Sequence, residues 1–316
     1  MDTTTDTIKY EILDETTELN NSNSTIETKI KDLSIEDKIK DFIKINKPKL
    51  FILTPCYGGQ CYINYLTCLM NTVTLFRHLG FQIQVEFCKN DSLVPRARNN
   101  LVAKAMTDPE MTHIMFIDND ITWDPIDIIK LILSEKEIIG GIYPLKNYEW
   151  SKLLTDPQNP YNSNIIQGWL TKKNQSQLKE VISDERMIQH NLLKYNVNYL
   201  DNVLEIKDNL ARVRHLATGF MMIRRPVIEQ LIKSFPSTKY VDDVNFLKPE
   251  ENEFAYALFD CGVEDGHYLS EDWLFCNRWT KLSKESNKKD IWMDVSIQLI
   301  HSGLEDFCGS YVSTIL

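Results

Sequence analysis

The chain has 316 residues, 43% of them apolar, and a formal net charge of -10. That suits a soluble protein with one large core or two modest ones, and the acidic balance without a basic block argues against binding nucleic acid through its backbone charge. Seven scattered cysteines, no two spaced as C-x2-C, exclude a zinc ribbon or knuckle and suit reduced, mostly buried thiols in a cytoplasm-like compartment.

Residues 1–46 read as a flexible polar arm. The first 30 are rich in Thr, Asn, Asp and Glu and offer little to bury. No basic-then-apolar leader opens them, so they are not read as a secretory signal, and no apolar run in the chain is long enough for a membrane span. Ser34–Ile45 carries a capping box, Ser34 with Asp37, followed by amphipathic spacing, which predicts one short helix.

The folded core is expected over residues 47–305. Leu50–Thr54 is an apolar run that predicts a strand, closed by the loop Pro55-Cys56-Tyr57-Gly58-Gly59, whose glycines permit close approach of a ligand. Ile63–Leu79 is helical in period, and Gly80 is its natural stop. Phe81–Phe87 alternates as a strand does. Asn90–Asn100 leads into a helix with Pro95 in its first turn. Arg96 and Arg98 fall at that start. Either they are solvated surface arginines, or one reaches a phosphate or orients a carboxylate, for which Arg98 and Asn99 are the candidates.

Ile114–Ile117 reads as a buried central strand that ends in Asp118-Asn119-Asp120. Carboxylates at that end of a strand lie where open α/β sheets bind ligands. If both turn into the crevice they make a hard-oxygen site for Mg2+ or Mn2+; otherwise they form a polar turn that ends a strand. Asp124-Pro125 starts a helix through Leu133, and Ile138–Pro144 reads as a strand with a glycine break that could admit a sugar or nucleotide. Strands and helices alternating at this tempo predict a three-layer α/β core.

Periodicity weakens over residues 146–214, which read as an insertion on the acceptor side. Phe220–Ile223 is a short strand preceded by Thr218-Gly219, and Pro226 starts a helix. Glu251–Asp265, acidic and aromatic, is read as a lid. In Tyr268–Trp279, Ser270 is a good N-cap, which puts Glu271 and Asp272 in the first helical turn, where the dipole stabilises them, while Trp273, Leu274, Cys276 and Trp279 pack inward. His301 follows an apolar run near the sheet edge. It is either a structural histidine or a third metal ligand beside Asp118 and Asp120. Residues 306–316 are read as a tail.

In order, the stretches TPCYGG (54–59), SLVPRARN (92–99), FIDND (116–120), GGIYP (140–144), ATGFMMIRR (217–225), YLSEDWLFC (268–276) and HSG (301–303) resemble those of GT-A-type glycosyltransferases, in particular small viral, phage and bacterial ones. The resemblance implies a three-layer, Rossmann-like GT-A fold with a mixed central sheet. It implies that Asp120, with His301, binds the divalent cation on the donor diphosphate, and that Asp118 touches ribose or a metal-bound water. Thr54, Pro55 and Tyr57 would line the nucleoside pocket, with Asn119 beside them and Arg98 and Asn99 near the ribose or diphosphate. Gly219 and Phe220, with Trp273, would border sugar and acceptor. Glu271-Asp272 resembles the family's acidic pair, whose aspartate serves as general base in inverting members. Asn119 occupies the variable middle position of the D-x-D motif.

The activity implied is metal-dependent transfer of a sugar, by default from a uridine diphosphate donor, to a hydroxyl on a glycan or protein-linked glycan, with inversion. The setting implied is the cytoplasm, or a host cell's cytoplasm, with virion association compatible. Two other classes compete. One is a catalytically degenerate binding protein on the same fold. The other is a metal-dependent nucleotidyltransferase, disfavoured because the loop Pro55–Gln60 carries no basic residue.

Overall fold

The computed structural model describes residues 9–12, 35–153, 166, 168–169 and 183–315. In chain order the strands are β1 (Lys9–Ile12), β2 (Lys49–Cys56), β3 (Gln82–Lys89), β4 (His113–Ile117), β5 (Ile121–Thr122), β6 (Ile138–Gly140), β7 (Pro144–Tyr148), β8 (Leu193–Tyr195) and β9 (Val197–Tyr199). They continue with β10 (Val203–Lys207), β11 (Leu210–Leu216), β12 (Phe220–Arg224), β13 (Gly262–Glu264), β14 (His267–Leu269), β15 (Ile291–Asp294), β16 (Gln298–Ser302) and β17 (Asp306–Ser310). The helices are α1 (Ile35–Asn46), α2 (Ile63–Leu79), α3 (Val94–Met106), α4 (Pro125–Leu133), α5 (Asp184–Leu192), α6 (Arg225–Ser234), α7 (Glu271–Thr280) and α8 (Val312–Ile315).

The main sheet runs β1-β10-β11-β15-β6-β12-β4-β2-β3, with β9 on β11. It is mixed. β2 lies parallel to both β3 and β4, and β12 is antiparallel to β4 and β6. Side chains of β2 alternate between two cores. Leu50 and Ile52 join α2 and α4 on one face, while Phe51 and Leu53 join α3, α6 and α7 on the other. Two buried faces on one sheet explain why β4 reads as an uninterrupted apolar run. The protein is thus an α/β protein with a mixed, partly parallel central sheet covered on both faces.

Local signals landed well where the chemistry is short-range. Asp124 accepts from the Ile126 amide at 2.9 Å and caps α4, and Pro95 sits in the first turn of α3. Gly80 closes α2 in the left-handed region at φ 92°. The proposed cap Ser34 lies outside the described residues, as does most of the polar arm.

Four expectations are corrected. Lys9–Ile12, inside that arm, pairs in parallel with β10. Residues 306–310 are a strand on β16 rather than tail. The 251–265 stretch is no lid, because Ala255, Leu258 and Phe259 are buried in it. The glycine break admits chain rather than ligand: a Cβ on Gly140 would lie 2.1 Å from the Phe220 carbonyl oxygen, and one on Gly141 would lie 2.8 Å from Ile297 Cγ2.

His113, buried at the start of β4, gives the fold a pH dependence. Burial first, and Arg224 second, push its imidazole down to about 4. The unfolded chain takes up the proton near 6.5, so between these values unfolding binds a proton that the folded state refuses. Stability is therefore whole above roughly pH 6.5 and falls by up to roughly 3 kcal/mol towards the folded value. Urea unfolding of wild type and His113→Gln at neutral pH and at about pH 5 should show the steeper loss in wild type. Equal losses would assign the acid sensitivity elsewhere.

Candidate active site

The parallel run of β2 and β4 brings Thr54–Tyr57 and Asp118–Asp120 to one edge of the sheet. The antiparallel β12 brings its amino end there too, with Phe220 opposite Ile117. Helix α3 adds Arg98, the first turn of α7 adds Glu271 and Asp272, and β16 adds His301 through its pairing with β5, where His301 lies opposite Ile121. Six separate stretches of sequence thus converge on one crevice.

Arg98 is its centre. It is only 3% exposed. Its Nη2 donates to Asp118 Oδ1 at 2.9 Å, its Nε donates to Glu271 Oε1 at 3.3 Å, and its guanidinium lies 5.2 Å from the Phe116 ring centroid. Burial works against the charge, but Asp118 and Glu271 outweigh it and raise the guanidinium further. Its Nη1 is buried without a hydrogen-bond partner among the described residues, an unspent donor on a buried cation.

The second group is Asp120, His301 and Lys146. Asp120 Oδ2 accepts from Lys146 Nζ at 2.6 Å and faces His301 Nε2 at 3.4 Å. Burial alone would raise the Asp120 carboxyl, yet the bonds from His301 and Lys146 hold it below the usual range. His301 Nδ1 lies 2.9 Å from the Pro144 carbonyl oxygen. A carbonyl only accepts, so Nδ1 donates to it, and that bond fixes the ring with Nε2 towards Asp120. A ring held by a backbone carbonyl is the usual posture of a metal-ligating histidine.

Among the described residues, no group of three or more His, Cys, Asp or Glu side chains is arranged to hold a metal ion. The three-ligand centre of Asp118, Asp120 and His301 is therefore not assembled, because Asp118 is turned to Arg98. What is assembled is a two-donor half-site. Its carboxylate oxygen and imidazole nitrogen would suit a divalent cation that takes its remaining ligands from phosphate and water, and they do not make an all-protein cage.

Asp272 sits in the first turn of α7. Its Oδ1 accepts from its own helix at the Trp273 amide, 2.9 Å away, and from the Ser270 hydroxyl. Ser270 was expected to cap the helix by side chain; instead its hydroxyl is spent on Asp272. Gly219 lets Tyr143 and Asp118 pack close to the backbone: a Cβ there would lie 2.6 Å from the Tyr143 hydroxyl and 2.9 Å from Asp118 Oδ2.

The remaining sequence candidates divide. Tyr57 is exposed beside Pro55, on a loop turned by Gly58 and Gly59 at φ 72° and 67°. Asn119 is tied by its side-chain amide to the Gln60 carbonyl at 2.6 Å. Trp273 stacks on His215 at 4.6 Å between centroids. Three candidates face inward. The Thr54 hydroxyl bonds the Tyr65 hydroxyl at 2.6 Å. Asn99 pairs with both backbone groups of Phe259, at 2.6 and 2.9 Å. Phe220 is a fully buried core ring. Two residues were missed. Tyr143 is buried against Asp118, and Lys146 follows the GGIYP motif by two residues, a basic side chain whose position beside that motif was its one signal.

Compared with known proteins, the chain matches no protein-family model and no curated protein. Among solved structures it is similar to A197 from STIV, at 12% identity over 81% of this chain and 86% of that one, with a TM-score of 0.41. A likeness that low carries nothing further about this chain.

Proposed function

We propose that the crevice binds a nucleoside diphospho-sugar, by default a uridine diphosphate sugar, with transfer of that sugar as the further step a catalytic member would add. Buried Arg98, tied to Asp118 at the edge where parallel strands end and with Nη1 lacking a partner among the described residues, carries this reading. A desolvated guanidinium with a donor to spare suits an anionic, oxygen-rich ligand. Asp120 and His301 would hold Mn2+ or Mg2+, which when bound supplies Lewis-acid stabilisation to the departing diphosphate. Asp118 and Glu271 hold Arg98 in place. Asp272 would take the proton of an acceptor hydroxyl in an inverting attack. Tyr57 and the 54–59 loop form the nucleoside side, and Gly219 with Trp273 the sugar and acceptor side.

Binding is what the geometry supports best, and a second reading stops there: a binding protein of the same architecture that does not turn its ligand over. One observation favours it. Each carboxylate of Asp118-Asn119-Asp120 already has a cation from the chain, Arg98 or Lys146.

A panel of nucleotide-sugars with Mn2+, read by thermal unfolding and by nucleoside diphosphate release, separates the readings. A true ligand at a hundredfold its dissociation constant stabilises by about 2.7 kcal/mol. Protection with nucleoside diphosphate release supports the transferase; protection without it supports the binding protein. No protection by any member would sink both, and pyrophosphate release from a nucleoside triphosphate would point to a nucleotidyltransferase.

A further inference from the structure

Lys146 stands where the half-site needs a cation. Its Nζ is 2.6 Å from Asp120 Oδ2, the same oxygen that His301 Nε2 faces at 3.4 Å. Asp120 Oδ2 and His301 Nε2 thus converge on one point, and the Lys146 ammonium stands beside it. The lysine is built into the place. It lies on β7, two residues after the Pro144 carbonyl that orients His301. Its stem runs over Gly303, where a Cβ would come within 3.0 Å of Lys146 Cδ. Its ammonium is 5.9 Å from the centroid of Tyr62, whose amide donates to the Asn119 carbonyl at 3.0 Å.

The contact is nonetheless one that can be given up. The Lys146 side chain is 34% exposed and that of Asp120 is 19% exposed. A lysine is a point charge on a flexible stem that leaves one carboxylate oxygen for another anion without a geometric penalty, unlike the forked arginine at position 98. Such a partly exposed pair is worth under about 1 kcal/mol.

We infer that Lys146 is an internal gate on the metal position: it caps Asp120 and His301 in the ligand-free protein and yields that place to a divalent cation arriving with its ligand. The displaced ammonium then faces the phosphate oxygens. This second half rests on the nucleotide reading above; the first half does not. The gate makes metal binding conditional, because a cation that comes alone must first displace Lys146, whereas one that comes with a diphosphate offers Lys146 a new partner.

The test is Mn2+ titration followed by electron paramagnetic resonance of the free ion, without nucleotide, on wild type, Lys146→Met, Lys146→Gln and each combined with Asp120→Asn. Both single variants are expected to bind Mn2+ on the order of fivefold tighter than wild type, and Asp120→Asn is expected to remove the gain. Unchanged or weaker Mn2+ binding in the variants overturns the gate. So does a gain that survives Asp120→Asn, or absence of Mn2+ binding in wild type and variants alike. Repeating the titration with uridine diphosphate should reverse the order, wild type now binding more tightly. If uridine diphosphate has no effect on any protein, the nucleotide reading fails while the metal-alone result still decides the gate.

Discussion

Arg98→Met is expected to cost about 3 kcal/mol of stability and to abolish protection by any nucleotide-sugar. Removing one partner of a buried ion pair leaves the others uncompensated, at about 3–5 kcal/mol. Here two carboxylates are stranded, but Asp118 is 31% exposed and Glu271 18%, which places the cost at the low end. Methionine keeps most of the stem volume against Phe116, so the loss reports charge rather than packing. Urea unfolding checks it, through a lower midpoint at an unchanged slope. Adding Asp118→Asn and Glu271→Gln should return much of the lost stability without returning ligand binding, since the stranded charges are gone and the donor with them. Arg98→Lys is a sharper probe. It keeps the charge, yet one ammonium cannot reproduce a fork that donates to Asp118 and Glu271 and leaves Nη1 over. A midpoint in Arg98→Met equal to wild type would show that the triad does not hold the crevice together.

What the sequence disclosed, and what it hid, follows the range of the interactions. The strand ending at Asp118-Asn119-Asp120 is legible because burial on both faces leaves an unbroken apolar run, and a run that stops in charge marks the end of a strand. The Asp124 cap and the Gly80 stop are equally local. Asn99 deceived because its partner, Phe259, lies 160 residues away, and no periodicity reports a contact at that distance. A polar residue beside Arg98 reads as part of the site, whereas it pins α3 to the 255–261 segment. That same pinning makes the supposed lid a wall. Phe220 deceived for the converse reason: its strand position was read correctly, but its backbone lies at the crevice while its ring belongs to the core. Lys146 went unseen since the motif before it ends in proline and the segment after it loses period. Only the fold shows that β7 carries its ammonium back to Asp120. The diversion of Asp118 to Arg98 has the same cause, a pairing across 20 residues that spacing alone leaves open between a metal ligand and an ion pair.

In a transferase, Asp272→Asn should lower turnover by about 10²–10⁴-fold while leaving nucleotide-sugar protection as in wild type. That is the usual worth of a positioned general base. The carboxylate is well oriented for it. The first turn of α7 favours negative charge, and both of its hydrogen bonds, from Ser270 and from the Trp273 amide, fall on Oδ1. Oδ2 is thereby oriented, and among the described residues no hydrogen bond falls on it. Asparagine can present its carbonyl oxygen to the same two donors, so the helix start survives and a fall in rate reports the missing base. Donor hydrolysis and transfer should be followed separately. A base acts on the acceptor hydroxyl, so transfer should collapse more than any metal-assisted loss of the sugar to water. Full transfer by a folded, donor-binding Asp272→Asn would remove the aspartate from the chemistry. With retention of anomeric configuration in the product, it would leave the departing diphosphate as the proton's destination.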